Sequence, residues 1–349
     1  MHECLRFSMR ICRWAGFFPV EGLDKPTISG LRYYLKGFYN VHCLIIYYFF
    51  LIYTAEFIFY ATGLFSTIML ARLAQQWPIF INKVTEIEQQ LQEIRTSNKT
   101  DKYCNVMAFC VLIAALVEHI LSMIYAVYLI TKCKTSSNDF SIVGNFQTTF
   151  LWNFTDVLTI CFSIYLISYF QDLNKVINNR QVSIKAMSWE RLRTHYSHIV
   201  ELVRQVDARL SVFILQSFVT YIFYICTQLF HTLKTTHLKV IDCDEDIVNT
   251  IKQSPEYITY YVFSFLYLVL RFVITSLLAA NVNLVAKMPL AALDTVPSSD
   301  YCLEVRRFRM QIEYTPVAMS GLFFFVTRPI LLQVVGSIVT YELVMLQLH

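Results

Sequence analysis

The chain has 349 residues, 56% of them hydrophobic and only 15% charged, with 28 phenylalanines, 22 tyrosines and a mean hydropathy of +0.48. A soluble globule cannot hide that much apolar surface, so the composition excludes one and indicates an all-α polytopic membrane protein. The net charge of +4 is small, and the lysines and arginines are scattered between apolar blocks, which argues against nucleic-acid binding.

Residues 1–36 hold Arg6, Arg10, Arg13, Lys25, Arg32 and Lys36 without an apolar core and small-residue cleavage site. No signal peptide is expected, and the first apolar helix would itself direct insertion. In the block that follows, 37–77, the only formal charge between Lys36 and Arg72 is Glu56. That block is too long for one crossing of about 30 Å of hydrocarbon and just long enough for two. Further runs of spanning length lie at 104–130, 147–171, 210–232, 257–285 and 329–348.

Basic residues set the orientation. Segments 1–36, 72–103, 172–209 and 286–328 contain twenty-three of the 29 lysines and arginines, against five in 131–146 and 233–256. The first two basic segments therefore share the cytoplasmic side, and an even number of crossings separates them. This makes 37–77 a helical hairpin turning near Glu56, with spans at 37–54 and 57–77. The expected architecture is one domain over 1–349 with seven transmembrane helices, a cytoplasmic N-terminus and an extracellular C-terminus. G-protein-coupled receptors have the opposite orientation.

The connecting segments carry structure of their own. Val84, Ile87, Leu91 and Ile94, and again Ile199, Leu202, Val206 and Leu210, recur at helical spacing, so several spans are expected to continue into the cytoplasm and pack there. In 286–328, Pro289 and Thr295-Val296-Pro297-Ser298 mark turns, and the periodic stretch through Phe308 and Ile312 predicts an amphipathic anchor helix before the last span. The acidic cluster at 239–246 reads as a solvated outer loop.

The last span is polar along one side. At about 100° per residue, Gln333, Ser337, Thr340, Val344 and Gln347 share a face, while Glu342 points the other way. A polar stripe at lipid depth faces either a helix-packing seam or a pore built by several copies.

Of ten cysteines, only Cys133 and Cys243 fall in outer loops, where a disulfide and two free thiols are both open readings. No Cys/His spacing suggests a metal and no cofactor motif is present. The sequons at Asn98 and Asn153 fall inside the cell and inside a span, so neither should be glycosylated. There is no phosphate-cradling glycine loop or GxSxG, and Glu118-His119 lacks the second histidine of a zinc helix, so an enzyme is not expected.

Thr340-Tyr341, five residues and then Gln347 resemble the C-terminal signature of insect gustatory receptors, with Leu348 in place of the usual Phe. Other stretches resemble the sugar-receptor branch: Ala15-Gly16-Phe17-Phe18-Pro19-Val20-Glu21-Gly22, Leu73-Ala74-Gln75-Gln76-Trp77-Pro78, Trp152-Asn153-Phe154-Thr155-Asp156, Arg271 through Ala279-Ala280-Asn281-Val282-Asn283, and Val317-Ala318-Met319-Ser320-Gly321 with Thr327-Arg328. The first outer loop departs from the family in being short, since the first two spans are nearly fused.

The resemblance implies the insect chemoreceptor ion-channel fold. It implies a non-selective cation channel in the plasma membrane of sensory neurons, opened by a small-molecule tastant, a sugar, without G-protein coupling. The channel would be a homotetramer or a heterotetramer with other gustatory receptors, set in membrane lipid, with Gln333, Ser337, Thr340, Val344, Gln347 and Leu348 along its pore. Ligand contacts are expected in the outer half of the bundle from Glu118, His119, Trp152, Asn153, Asp156, Gln228 and Tyr260. Carboxylates and amides would bond sugar hydroxyls there, and aromatic faces would stack on the ring. Interhelical glue is the alternative use of the same residues. The rival functions are a receptor of the same fold for a non-sugar tastant or odorant, and a secondary transporter, although paired Gly/Pro breaks are lacking.

Overall fold

The computed structural model describes residues 2–14, 20–21, 32–33, 54–95, 99–133, 139–179, 187–233, 250–251 and 253–347. An amphipathic helix α1 (His2–Trp14) comes first, then a two-residue antiparallel ladder in which β1 (Val20–Glu21) pairs with β2 (Arg32–Tyr33). Five long helices follow: α2 (Thr54–Gln90), α3 (Thr100–Cys133), α4 (Asp139–Asn179), α5 (Trp189–Leu233) and α6 (Pro255–Lys287). The short helices α7 (Pro289–Asp294) and α8 (Leu303–Tyr314) lead to α9 (Arg328–Gln347).

Among the described residues, five helices are long and apolar enough to cross a membrane: Phe57–Gln90, Thr100–Lys132, Phe146–Asn178, Trp189–Leu229 and Pro255–Asp294. At about 1.5 Å per residue, the 41 residues of α4 reach roughly 60 Å, about twice the hydrocarbon thickness. The helices therefore project beyond the membrane. There Val84, Ile87, Leu91, Ile94, Ile199, Leu202, Val206 and Leu210 are all buried in the shared core, as their periodicity requires. Helix α8 buries Val305, Phe308 and Ile312 against this bundle. Arg193 of α5 holds it by an Nε–Oε2 contact of 2.8 Å to Glu304, whose carboxyl is kept below its usual range by Arg307 and Arg193.

Residues 37–53, which include most of the expected first crossing, lie outside the described residues, as do Cys243 and Leu348. Helix α2 is already helical from Thr54, and nothing in Thr54-Ala55-Glu56-Phe57 breaks a helix, so no turn falls among those four residues; the segment before Thr54, where the expected hairpin would close, lies outside the described residues.

Helix α4 is the central post, packed on α2, α3, α5 and α6, and most of its apolar stretch is buried. Helix α3 instead turns Phe109, Ile113, Leu116, Ile120 and Ile124 outward, as a lipid-facing helix does. Asn153 is buried at the centre and has no route to glycosylation.

Helices α2 and α4 meet closely at Gly63, where an added Cβ would come within 2.8 Å of Thr148 Cγ2 and Oγ1. The β-branched Thr148 is stiff. Gly63→Ala is therefore expected to cost about 1–3 kcal/mol by overpacking, read as a lower melting temperature of the detergent-purified protein. An unchanged melt would show that α2 and α4 can separate freely.

Candidate functional site

In the upper bundle, α2 to α6 enclose a cavity of about 300 Å³. Helix α3 contributes Glu118, His119 and Ser122; α4 contributes Thr149, Trp152 and Asn153; α5 contributes Tyr224 and Gln228. Helix α6 adds Tyr260, Ser264, Tyr267, Leu268 and Arg271, and Phe59 and Tyr60 of α2 complete the lining. The spacings follow helical geometry, since Tyr260, Ser264, Tyr267 and Arg271 repeat at i, i+4, i+7 and i+11 along one face of α6.

Polar groups in the wall are tied to one another. Ser264 Oγ donates to Glu118 Oε1 at 3.1 Å, and Gln228 Nε2 donates to Ser264 Oγ at 3.5 Å. Tyr267 donates to Asn153 Oδ1 at 2.5 Å, and Arg271 Nη1 donates to the same oxygen. The Arg271 guanidinium lies 4.1 Å from the Trp152 ring centroid, and Tyr224 packs on Trp152 at 5.3 Å. Tyr125 stacks on Tyr260 at 5.5 Å. The indole Nε1 of Trp152 is buried without a hydrogen-bond partner among the described residues.

Of the seven ligand contacts expected from sequence, Glu118, His119, Trp152, Asn153, Gln228 and Tyr260 are brought together in this lining. Asp156 is not among them. It lies beneath the floor, fully buried, with Oδ2 3.1 Å from Arg271 Nε and 2.6 Å from the Tyr221 hydroxyl, and Oδ1 accepting from Ser217 at 3.2 Å. Its oxygens are committed to those partners, because an intramembrane guanidinium needs a buried counter-ion more than a ligand needs another acceptor. Arg271, Ser264 and Tyr267 are lining residues absent from the sequence expectation. For Arg271 a signal existed: a lone basic residue inside a span calls for an acid on a neighbouring helix.

A second, almost wholly apolar groove of about 310 Å³ runs between α1, α3 and α4. Phe7, Ile11, Phe109 and Phe150 line it, and it shares His119, Thr149 and Asn153 with the cavity. Among the described residues no cluster of His, Cys, Asp and Glu could hold a metal ion.

The last helix presents two unlike sides. Leu331 and Ile338 are buried and Val334 is half-buried against the bundle, while Gln333, Ser337, Thr340 and Val344 are exposed. At about 100° per residue the centres of these sets lie roughly 120° apart, so the polar stripe is turned off the side that meets its own bundle. The Ser337 and Thr340 hydroxyls donate to the carbonyls of Gln333 and Gly336, each at 2.9 Å, which leaves their lone pairs directed outward. Gln347 ends the helix, and Leu348 lies outside the described residues.

The family model described as Trehalose receptor matches residues 1–147 and 140–349. The chain belongs to this family of insect gustatory receptors. Among its relatives, Gustatory receptor for sugar taste 64f of Drosophila melanogaster is 28% identical over 84% of this chain and 65% of the relative. This chain thus spans just under two thirds of that receptor. Gustatory receptor 5a for trehalose, from the same species, is 27% identical over 100% of this chain and 85% of its own length. The structure of the insect olfactory receptor OR5 from Machilis hrabei, solved alone and with eugenol, superposes with a TM-score of 0.64 at 14% identity. The superposition covers 89% of this chain and 86% of that one, so the gustatory family member shares the insect olfactory receptor fold.

Proposed function

We propose that this family member is a subunit of a ligand-gated, non-selective cation channel opened by a sugar bound in the cavity of the outer bundle. The observation that carries the ligand reading is the lining itself. A carboxylate (Glu118) and two amides (Asn153 and Gln228) converge with the rings of Trp152, Tyr224 and Tyr260. A polyol with one apolar ring face needs this mixture. Relatives named for sugar taste and for trehalose support the same class.

The channel reading rests on α9, whose polar stripe is turned off the side that meets its own bundle. Copies arranged around an axis, four in a homotetramer or heterotetramer, would bring Gln333, Ser337, Thr340 and Gln347 to a shared water path. Such a receptor would have seven spans, with 37–54 as the first, a cytoplasmic N-terminus and an extracellular C-terminus, in the plasma membrane of sensory neurons. Calcium imaging of cells expressing the chain, alone and with partner gustatory receptors, against a tastant panel tests the whole reading. Saturable uptake of ligand without current would replace it with a secondary transporter.

The apolar groove beside the cavity favours one second reading, a receptor of the same fold for an apolar tastant or odorant. The two readings diverge at Glu118. For a sugar, Glu118→Ala is expected to keep surface abundance and shift the dose response about ten- to a hundredfold, since a charge-assisted bond contributes roughly 1.5–3 kcal/mol. An apolar ligand would give an unchanged half-maximal concentration.

A further inference from the structure

The segment joining α8 to α9 folds into a tight hairpin. Ser320 bridges Phe325, Val326 N–H donates to Met319 O at 2.8 Å, and Gly321 N–H donates to Phe324 O at 2.8 Å. Leu322 adopts φ 64°, the left-handed conformation that lets the chain reverse. Asp207 of α5 clamps the near strand, accepting from Ser320 N–H at 2.6 Å and from its hydroxyl at 2.8 Å. Only Thr327 separates Val326 from the first residue of α9, so a movement of the hairpin moves the foot of that helix.

One ring of the hairpin, Phe324, points back into the bundle. It meets Phe218 edge-on at 5.3 Å, Phe218 meets Phe272 at 5.8 Å, and Phe272 meets Tyr221 at 5.3 Å. Tyr221 touches the cavity wall, with Trp152 at 5.9 Å and Arg271 Nε donating to its hydroxyl at 3.1 Å. Tyr221, Phe218 and Phe272 are buried, so a displaced ring has no solvent to move into and must shift its neighbour.

We propose that Phe324 is the positioning residue that couples the cavity to α9, through the buried ring contacts of Tyr221, Phe272 and Phe218. The inference rests on the channel reading for its consequence, but the ring contacts exist whether or not the chain conducts. A ligand pressing on Trp152 or Arg271 repacks Tyr221, and the shift leaves the bundle at Phe324. Gly321 sharpens the point, because a Cβ there would stand 2.5 Å from the Phe324 ring and push it from its seat without deleting it.

Hydrogen exchange on the purified full chain tests the coupling without needing current. Adding trehalose, sucrose or glucose is expected to change exchange at the Gly321 and Val326 amides by about fivefold or more, the lower end of ordinary coupling between sites. Phe324→Ala should abolish that change while leaving exchange effects around Trp152 intact, and Phe324→Leu should restore part of it. Trp152→Leu with no sugar present should alter hairpin exchange in wild-type background and not in Phe324→Ala, so the coupling is judged even where none of the three sugars binds. In cells, Phe324→Ala and Gly321→Ala should lower the maximal response per surface receptor by about fivefold or more. Sugar binding without current would reject the channel reading alone. Hairpin exchange that ignores both Trp152→Leu and bound sugar, or that responds equally in Phe324→Ala, would overturn the coupling.

Discussion

Asp156→Ala is expected to remove the receptor from the cell surface rather than to weaken its response. The substitution leaves the Arg271 guanidinium, 4% exposed, without the carboxylate 3.1 Å away, and strips the Tyr221 and Ser217 hydroxyls of their acceptor. Breaking a buried pair from one side costs about 3–5 kcal/mol, a large part of the roughly 5–15 kcal/mol that holds a domain folded. Surface biotinylation and the melting temperature of solubilised protein would both fall. Asp156→Asn, whose single amide oxygen keeps an acceptor for one of the Tyr221 and Ser217 hydroxyls, should fall less. Removing both charges, in Asp156→Leu with Arg271→Met, should recover part of the loss, because no unpaired ion remains. Wild-type abundance together with a right-shifted dose response would instead place the Asp156 carboxylate on the ligand.

The contrast between Asp156 and Glu118 marks how far the sequence could be read. Helix periodicity and basic-residue counting place Glu118, His119, Trp152, Asn153, Gln228 and Tyr260 in the outer half of four helices, and depth alone is enough to bring such residues near one another. Rotation about each helix axis is not fixed by depth. Asp156 is one turn below Trp152 and Asn153 on α4, so it reads as a cavity residue until the position of Arg271 on α6 is known. The long-range packing that puts these helices side by side is carried by apolar residues without individual signatures, and no periodicity in α4 announces that α6 will be its neighbour. The hairpin at Ser320–Phe325 was hidden for a different reason. Its reversal depends on one left-handed leucine and a carboxylate more than a hundred residues away, and neither is a local turn signal.

The two sides of α9 set the last expectation. Ser337 and Thr340 are exposed on the stripe side, whereas Ile338 is buried against the bundle. If four subunits bring the stripe to one axis, Ser337→Asp places up to four carboxylates around a shared path. Unit charges even about 8 Å apart interact by roughly 2 kcal/mol at an effective dielectric of 20, so cation occupancy and divalent block should change strongly. Gln347→Glu, on the same face by helical phase, should act in the same direction. Ile338→Val removes one buried methylene equivalent, costs about 0.5–1.5 kcal/mol of stability and should leave permeability ratios alone. Reversal potentials under bi-ionic conditions separate the two sides within one preparation. Should Ser337→Asp and Ile338→Val give the same permeability ratios and the same divalent block in channels that still open, the stripe would be a packing seam between subunits and the ions would travel elsewhere.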